Sequence, residues 1–289
     1  MVERGVIYYA AGERYVEQAK QSAQSLKEHN DLHVTVYSDR SNIERDCIDQ
    51  VIQIEPGKDP FYDRINYFKE TPYDKTLHLD TDTLVVGKII DIFESLDRFS
   101  VVAAFNESRN TVSEEHKFET IDIDAPDSFP EYQCGVIGFR DSPEVQRLFS
   151  DWQDRYADYR DQFVLDQPHF REALYQNEVK LGTLPSEYNL LVYFGGYIQQ
   201  EAKIIHYAGT EPEKLPSLLG TDSSLDQTVE KINGDAPETR VLFYDGWNKL
   251  RVVPTTGNGH LLFRAARSLL RDGLFSTIKN GYEKLSEQK

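Results

Sequence analysis

Asp80 and Asp82 stand two residues apart at the end of the strand-like run Lys75-Thr76-Leu77-His78-Leu79, and no other segment of the sequence points so directly to chemistry. Alternate residues of an extended strand share a face, so both carboxylates can aim at one point. Two hard oxygen donors converging at the mouth of a sheet suit a divalent cation and the phosphates that it carries. Asp-x-Asp is common by chance, so the pair takes its meaning from its surroundings.

Those surroundings alternate strand and helix. Gly5 to Ala10 reads as a buried strand that Gly12 breaks, and Val16, Ala19, Ala23 and Leu26 then fall on one helical face. Strands follow at 32–37, closed by Asp39, and at 51–54. A helix over 61–69, ended by Thr71-Pro72-Tyr73, precedes the strand that delivers the aspartates. Beyond it come a short helix at 89–96, a strand at 101–105, a polar acidic loop at 106–130, and a strand at 135–139. A helix striped by Val145, Leu148, Phe149, Trp152, Tyr156 and Tyr159 follows, then a helix at 170–175 and a last strand at Ile204-Ile205 before His206. This order predicts an α/β sandwich with a mostly parallel sheet, whose ligands bind beyond the carboxyl ends of the strands. Gly12, Asp39, Asp80 and His206 all fall at such ends.

Composition narrows the function. The 289 residues carry a formal charge of −17, which repels a nucleic-acid backbone and argues against it as a partner. Two cysteines, Cys47 and Cys134, are too few for a disulfide framework or a cysteine-rich zinc site. No segment is long and apolar enough to span a bilayer, and Met1-Val2-Glu3-Arg4 leads into a strand rather than a signal peptide. A cytoplasmic protein is the expectation, with peripheral contact on the inner membrane face as one option.

Seven motifs in order resemble the GT-A fold glycosyltransferases, in particular the group of glycogenin and the lipopolysaccharide galactosyltransferases. They are Tyr8-Tyr9-Ala10-Ala11-Gly12-Glu13-Arg14-Tyr15, Thr71-Pro72-Tyr73-Asp74-Lys75, Leu79-Asp80-Thr81-Asp82-Thr83, Gly135-Val136-Ile137-Gly138-Phe139, Leu165-Asp166-Gln167, Leu184-Pro185-Ser186-Glu187-Tyr188-Asn189 and Ile205-His206-Tyr207-Ala208-Gly209. The resemblance implies a GT-A three-layer sandwich over residues 1–209, followed by a linker and helical extension over 210–289. It implies transfer of a hexose from a nucleotide-diphosphate sugar, UDP-linked as the expected case, to an acceptor hydroxyl on an unidentified lipid or glycan.

The same resemblance assigns roles. Asp80, Asp82 and His206 would hold Mn²⁺ or Mg²⁺, and imidazole beside carboxylates favours manganese. Ala10 and Gly12 would let the nucleotide approach the backbone. Tyr15 would stack on the base or be a core aromatic, and Asp39 would contact ribose or base or merely close a turn. Lys69, preferred over Arg64, would pair with donor phosphate or a sugar hydroxyl. Gln167 would lie under the anomeric carbon. Asp166 would bind donor hydroxyls, serve as base in an inverting enzyme, or cap a helix. Retention is the expected outcome. Gln133-Cys134-Gly135 stands where the family usually has Asn-x-Gly, so Gln133 supplies a longer amide for the same hydrogen bond or for a different sugar.

Three rivals were weighed. A haloacid-dehalogenase-type phosphohydrolase also uses Asp-x-Asp, but wants it near the start of its core with a later Gly-Asp-x-x-x-Asp, and Gly234-Asp235 lacks the second acid. A sugar nucleotidyltransferase wants an Arg-containing, glycine-rich loop, which Ala11-Gly12-Glu13-Arg14 matches poorly. A non-catalytic nucleotide-sugar-binding module remains, distinguished by binding without turnover.

The tail differs in character. Residues 210–240 read as a polar linker or surface loop. From Asn258 onward Leu262, Ala265, Ala266, Leu269 and Leu270 make an apolar stripe edged by Arg264, Arg267 and Arg271, continued by Leu274, Ile278, Tyr282 and Leu285. Three Arg and three Lys face only three acids there, in a chain that is acidic as a whole. Such a helix docks on its own domain or a second subunit, or lies on anionic lipid.

Overall fold

The computed structural model describes residues 2–43, 46–106, 122–159, 165–192, 196–207, 224–244 and 250–254, together with Leu269. The chain divides into two compact units, one of residues 1–192 with 202–212, the other of 193–201 with 213–289.

The first unit carries strands β1 (Val2–Tyr9), β2 (His33–Ser38), β3 (Gln50–Gln53), β4 (Tyr73–Leu79), β5 (Thr83–Val85), β6 (Val101–Asn106), β7 (Glu131–Arg140) and β8 (Leu181–Leu184). All but β5 join one seven-stranded sheet in the order β3-β2-β1-β4-β7-β6-β8. Only β7 runs against its neighbours, β4 and β6. Every other pairing is parallel, as the strand–helix alternation predicts.

Helices cover both faces. Ala19, Ala23 and Leu26 of α1 (Glu13–His29) and Ile92 and Phe93 of α3 (Asp91–Ser95) pack on Val6, Tyr8, Val34, Val36, Leu77 and Leu79. Ile65 and Phe68 of α2 (Pro60–Lys69), Val145, Leu148, Phe149 and Trp152 of α4 (Pro143–Tyr156), and Phe170 and Ala173 of α5 (Gln167–Gln176) pack on Ile7, Tyr37, Ile137 and Phe139. Each strand is buried on both sides, which is why its residues alternate between two apolar cores rather than between core and water. Strand period then decides where the chemistry goes. Leu77 and Leu79 belong to the α1 side, so His78 and Asp80 must emerge on the α2 side.

Helix α2 is fixed in phase by its start. Asp59 accepts the backbone N–H groups of Phe61 and Tyr62, and Pro60 occupies the first turn. Such a cap is worth about 1 kcal/mol, and here it also turns Arg64 inward with Ile65 and Phe68. Lys69 lies five residues on, about 140° around the helix, and its ammonium donates to Gln153 of α4 instead.

Helix α5 holds a buried histidine. His169 is 2 % exposed, lies against the rings of Tyr156 and Tyr159, and has no hydrogen-bond partner for either ring nitrogen among the described residues. Burial, with help from Arg155, pushes its pKa down to about 4. Above the unfolded value of about 6.5 the ring is neutral in both states. As pH falls toward 4 the unfolded chain takes up a proton that the folded one refuses, which should remove about 3 kcal/mol of stability. Chemical denaturation at pH 7 and pH 4 checks this: His169→Phe should lose less stability than the parent over that interval. Equal losses would mean that the histidine is protonated in the folded protein.

The second unit contains an antiparallel sheet of Gly196–Ile198, Arg240–Tyr244 and Leu250–Pro254, and the helix Leu225–Asn233. The stretch 210–240 is therefore not all linker. Ser224 and Gln227 form a reciprocal capping box that starts this helix, and Thr228 and Ile232 are buried. The expected amphipathic helix beyond Asn258 lies outside the described residues, Leu269 excepted, as does most of the expected loop at 106–130. Asn106 itself ends β6, and the described part of that loop is gripped by Arg171, which donates to the carbonyls of Phe129 and Pro126. Among the described residues no helix is long and apolar enough to cross a membrane.

Candidate metal and donor site

The turn after β4 places the two aspartates. Thr83 Oγ1 donates to the carbonyl of Asp80 at 2.8 Å, and the Asp80 N–H donates to the carbonyl of Gly135 on β7. Strand β5 then pairs antiparallel with β11 (Ile204–His206), opposing His206 to Thr83, and Tyr207 N–H donates to the carbonyl of Asp82. That pairing carries His206 back across more than a hundred residues to the acids. His206 Nε2 lies 3.1 Å from Asp82 Oδ1 and 4.0 Å from Asp80 Oδ2. One ligand atom from each of the three residues lies within 4.8 Å of the others.

Three further features fit this triad to a divalent cation. The His206 Nδ1 lies 3.0 Å from Asn189 Oδ1, which leaves Nε2 turned to the carboxylates. A second-shell partner of this kind fixes both ring orientation and tautomer. Gly135 clears the space: a Cβ there would run into the His206 ring and come within 3.0 Å of Asp80 Oδ2. The charges also call for a cation. Burial disfavours a charged His206, yet the carboxylates of Asp82 and then Asp80 outweigh it and raise the imidazole pKa. Gly135→Ala should therefore cost about 1–3 kcal/mol by overpacking and weaken divalent-cation binding in a calorimetric titration. An alanine variant that binds the ion like the parent would show that the ring does not need that space.

Arg64 links the triad to α5. Its Nη1 donates to Asp80 Oδ1 at 2.8 Å, and its Nε and Nη2 form a fork on Asp166 at 2.7–3.2 Å. His78 Nε2 lies 3.0 Å from the same Asp80 oxygen. Burial pushes the Asp80 carboxyl up, but Arg64 first, then His78 and His206, outweigh it and hold Asp80 well below the usual carboxylate range. Asp166 is 1 % exposed, and there burial prevails over Arg64 and pushes the carboxyl up to about 6. Asp166 occupies the N-cap position of α5 without capping it, because its oxygens go to the guanidinium. Its neighbour Gln167 accepts from the Cys134 N–H and donates to Glu131.

At the other end of the sheet Gly12, with φ of 93°, donates its N–H to Asp39 Oδ1 at 2.8 Å. Asp39 is thus tied to the loop after β1 rather than left in a bare turn. Ala10 is buried, its N–H on the carbonyl of Tyr37. Tyr15 is 45 % exposed, so it is not a core aromatic. Gln133 is buried and donates to Asn106. Asp80, Asp82, His206, Asp166 and Gln167 thus gather around one end of β4 and β7, and Gly12, Asp39, Ala10 and Tyr15 gather at the end of β1. Lys69 joins neither group, and the cation at the acids is Arg64.

His78, Asn189, Glu131 and Asn106 were not anticipated. His78 was readable in principle, two residues before Asp80 on one strand face. For the other three no local signal exists, since each acts across the sheet.

The architecture matches known structures. The chain is similar to galactosyltransferase LgtC in a crystal structure with donor and acceptor sugar analogues, with a TM-score of 0.53 and 14 % identity over 72 % of this chain and 89 % of that one. It is equally similar to an active-site glutamine-to-glutamate mutant of LgtC, with a TM-score of 0.54 and 14 % identity over 78 % and 94 % of the two chains. The fold is GT-A. Likeness at this identity establishes the GT-A fold and leaves the reaction to be argued from the site. No protein-family model matches the sequence, and no curated protein matches it.

Proposed function

We propose that this chain is a metal-dependent, retaining glycosyltransferase that moves a hexose from a nucleotide-diphosphate sugar, UDP-linked, to an acceptor hydroxyl. The observation that carries the reading is the convergence of Asp80, Asp82 and His206 at the carboxyl end of a GT-A sheet. Residues 1–209 would contain the site, and the cationic tail would suit a lipid-linked acceptor on an anionic membrane face. The neighbour LgtC is a galactosyltransferase crystallised with sugar analogues, which supports the substrate class.

The division of labour follows from the geometry. Asp80, Asp82 and His206 would hold Mn²⁺ or Mg²⁺, which when bound supplies a Lewis acid that offsets charge on the departing nucleoside diphosphate. Asp39 and the N–H-rich loop at Gly12 would take the ribose, with exposed Tyr15 available to the base. Arg64 adds a fixed positive charge beside Asp80. Asp166 is buried and forked onto Arg64, so it is badly placed to strip a proton from an acceptor. That argues for retention. Gln167 then offers an amide, too weak a base to be a strong nucleophile but able to support an oxocarbenium-like state. A phosphohydrolase of the Asp-x-Asp type needs its motif at the first strand of its core, whereas here it follows the fourth.

A thermal-shift panel of nucleotide sugars with and without Mn²⁺ tests the reading. The cognate donor should raise the melting temperature only with the ion, since a ligand at a hundred times its Kd adds about 2.7 kcal/mol. Metal-dependent release of free sugar from that donor should accompany it. Binding without turnover for every donor would favour a non-catalytic module, and no shift at all would remove the nucleotide-sugar reading.

A further inference from the structure

A second polar cluster lies next to the metal triad and is not used by it. Glu131 opens β7 and is fully buried. Its Oε1 accepts from Asn106 Nδ2 at 2.8 Å and from Gln167 Nε2 at 3.4 Å. Asn106 sits opposite Glu131 in the β6–β7 register and accepts in turn from Gln133 Nε2 at 2.7 Å. On the other side of the Gln167 amide, Oε1 accepts the backbone N–H of Cys134 at 3.2 Å.

The two ends of a primary amide are nearly alike in shape, so packing alone does not decide which is oxygen. Here both neighbours decide it. An ionised carboxylate only accepts and must face the NH₂ group, whereas a peptide N–H only donates and must face the carbonyl. We propose that Glu131, braced by Asn106, is a positioning residue that fixes the amide of Gln167. The carbonyl oxygen is thereby held at Cys134, one residue from the Gly135 over which His206 lies, for the electron-poor carbon of a donor sugar. The sugar in this statement rests on the transferase reading, but the amide orientation does not.

Two variants and two readouts separate these. Glu131→Leu removes the acceptor, and Glu131→Gln keeps a carbonyl one. With glutamine-selective ¹⁵N labelling, the Gln167 NH₂ signal (assigned by its loss in Gln167→Met) should be slow to exchange with solvent in the parent. It should move toward free-glutamine values in Glu131→Leu and stay near its place in Glu131→Gln. Turnover of the cognate donor should fall about a hundredfold in the leucine variant, as expected for a misoriented group. It should fall far less in the glutamine variant, with donor KM and the Mn²⁺–nucleotide melting shift unchanged in both. A Gln167 signal that ignores the leucine substitution overturns the proposal, and so does a loss that appears in donor KM. If Glu131→Leu does not fold, Asn106→Ala must displace the same signal by a smaller amount, and no displacement counts against the brace. A parent that transfers from no donor sinks the transferase reading alone, and the spectra still decide the role of Glu131.

Discussion

Asp82→Ala should abolish transfer while leaving the protein folded. A bound Lewis acid contributes several kcal/mol to stabilising the developing charge, and each 1.4 kcal/mol is a factor of ten in rate. The expected loss is therefore about a thousandfold or more. It should come with loss of ion binding, because His206 Nε2 lies closest to Asp82 and the triad would be left with one carboxylate. Stability should hardly change. The turn is fixed by main-chain groups of Asp80 and Asp82, through Thr83 and Tyr207, and not by the Asp82 carboxylate. Part-exposed substitutions of this kind stay within about 0.5 kcal/mol, a degree or two in a domain of this size. Activity and a Mn²⁺ titration measured on one preparation check it. Activity equal to the parent would remove the site altogether.

Much of this site was legible before any coordinates, and the reason is local. Asp80 and Asp82 follow an apolar strand, and Gly12 and Asp39 end two others, so period and punctuation place them without knowledge of their neighbours. What was not legible is whatever depends on partners far along the chain. The strand at 135–139 begins at Glu131, because Glu131 and Gln133 satisfy each other's network across β6 and β7 and so can be buried. Read in isolation, a glutamate and a glutamine look like the end of a polar loop. The choice between Arg64 and Lys69 turned on helix phase, which the Asp59 cap and the packing of Phe68 fix. The return of His206 depends on a three-residue antiparallel pair, too short for any periodic signal. His206 was reached by resemblance, and the pairing gives its physical cause.

Arg64 deserves the second large effect, this time in stability. Arg64→Met keeps a long apolar stem but leaves Asp166 almost fully buried with no guanidinium. Removing one partner of a buried pair costs about 3–5 kcal/mol, because the remaining charge has nothing to face. Asp80 suffers less, since it keeps His78 and is a quarter exposed. The penalty must depend on pH in a definite direction. Burial already raises the Asp166 carboxyl to about 6, and without Arg64 it rises further. A folded pKa above the unfolded one favours the folded state below the unfolded value and loses that support as pH rises through the folded value. The variant should therefore be weakest at neutral pH and regain ground on the parent as Asp166 takes up its proton between pH 7 and 4. Adding Asp166→Leu to Arg64→Met should recover most of the loss at pH 7, because apolar replacements of a whole buried pair are often neutral. Denaturation curves of the two single variants and the double variant at both pH values form the cycle. If the double variant is as unstable as Arg64→Met alone, the cost lies in lost packing around the arginine stem and not in an abandoned carboxylate.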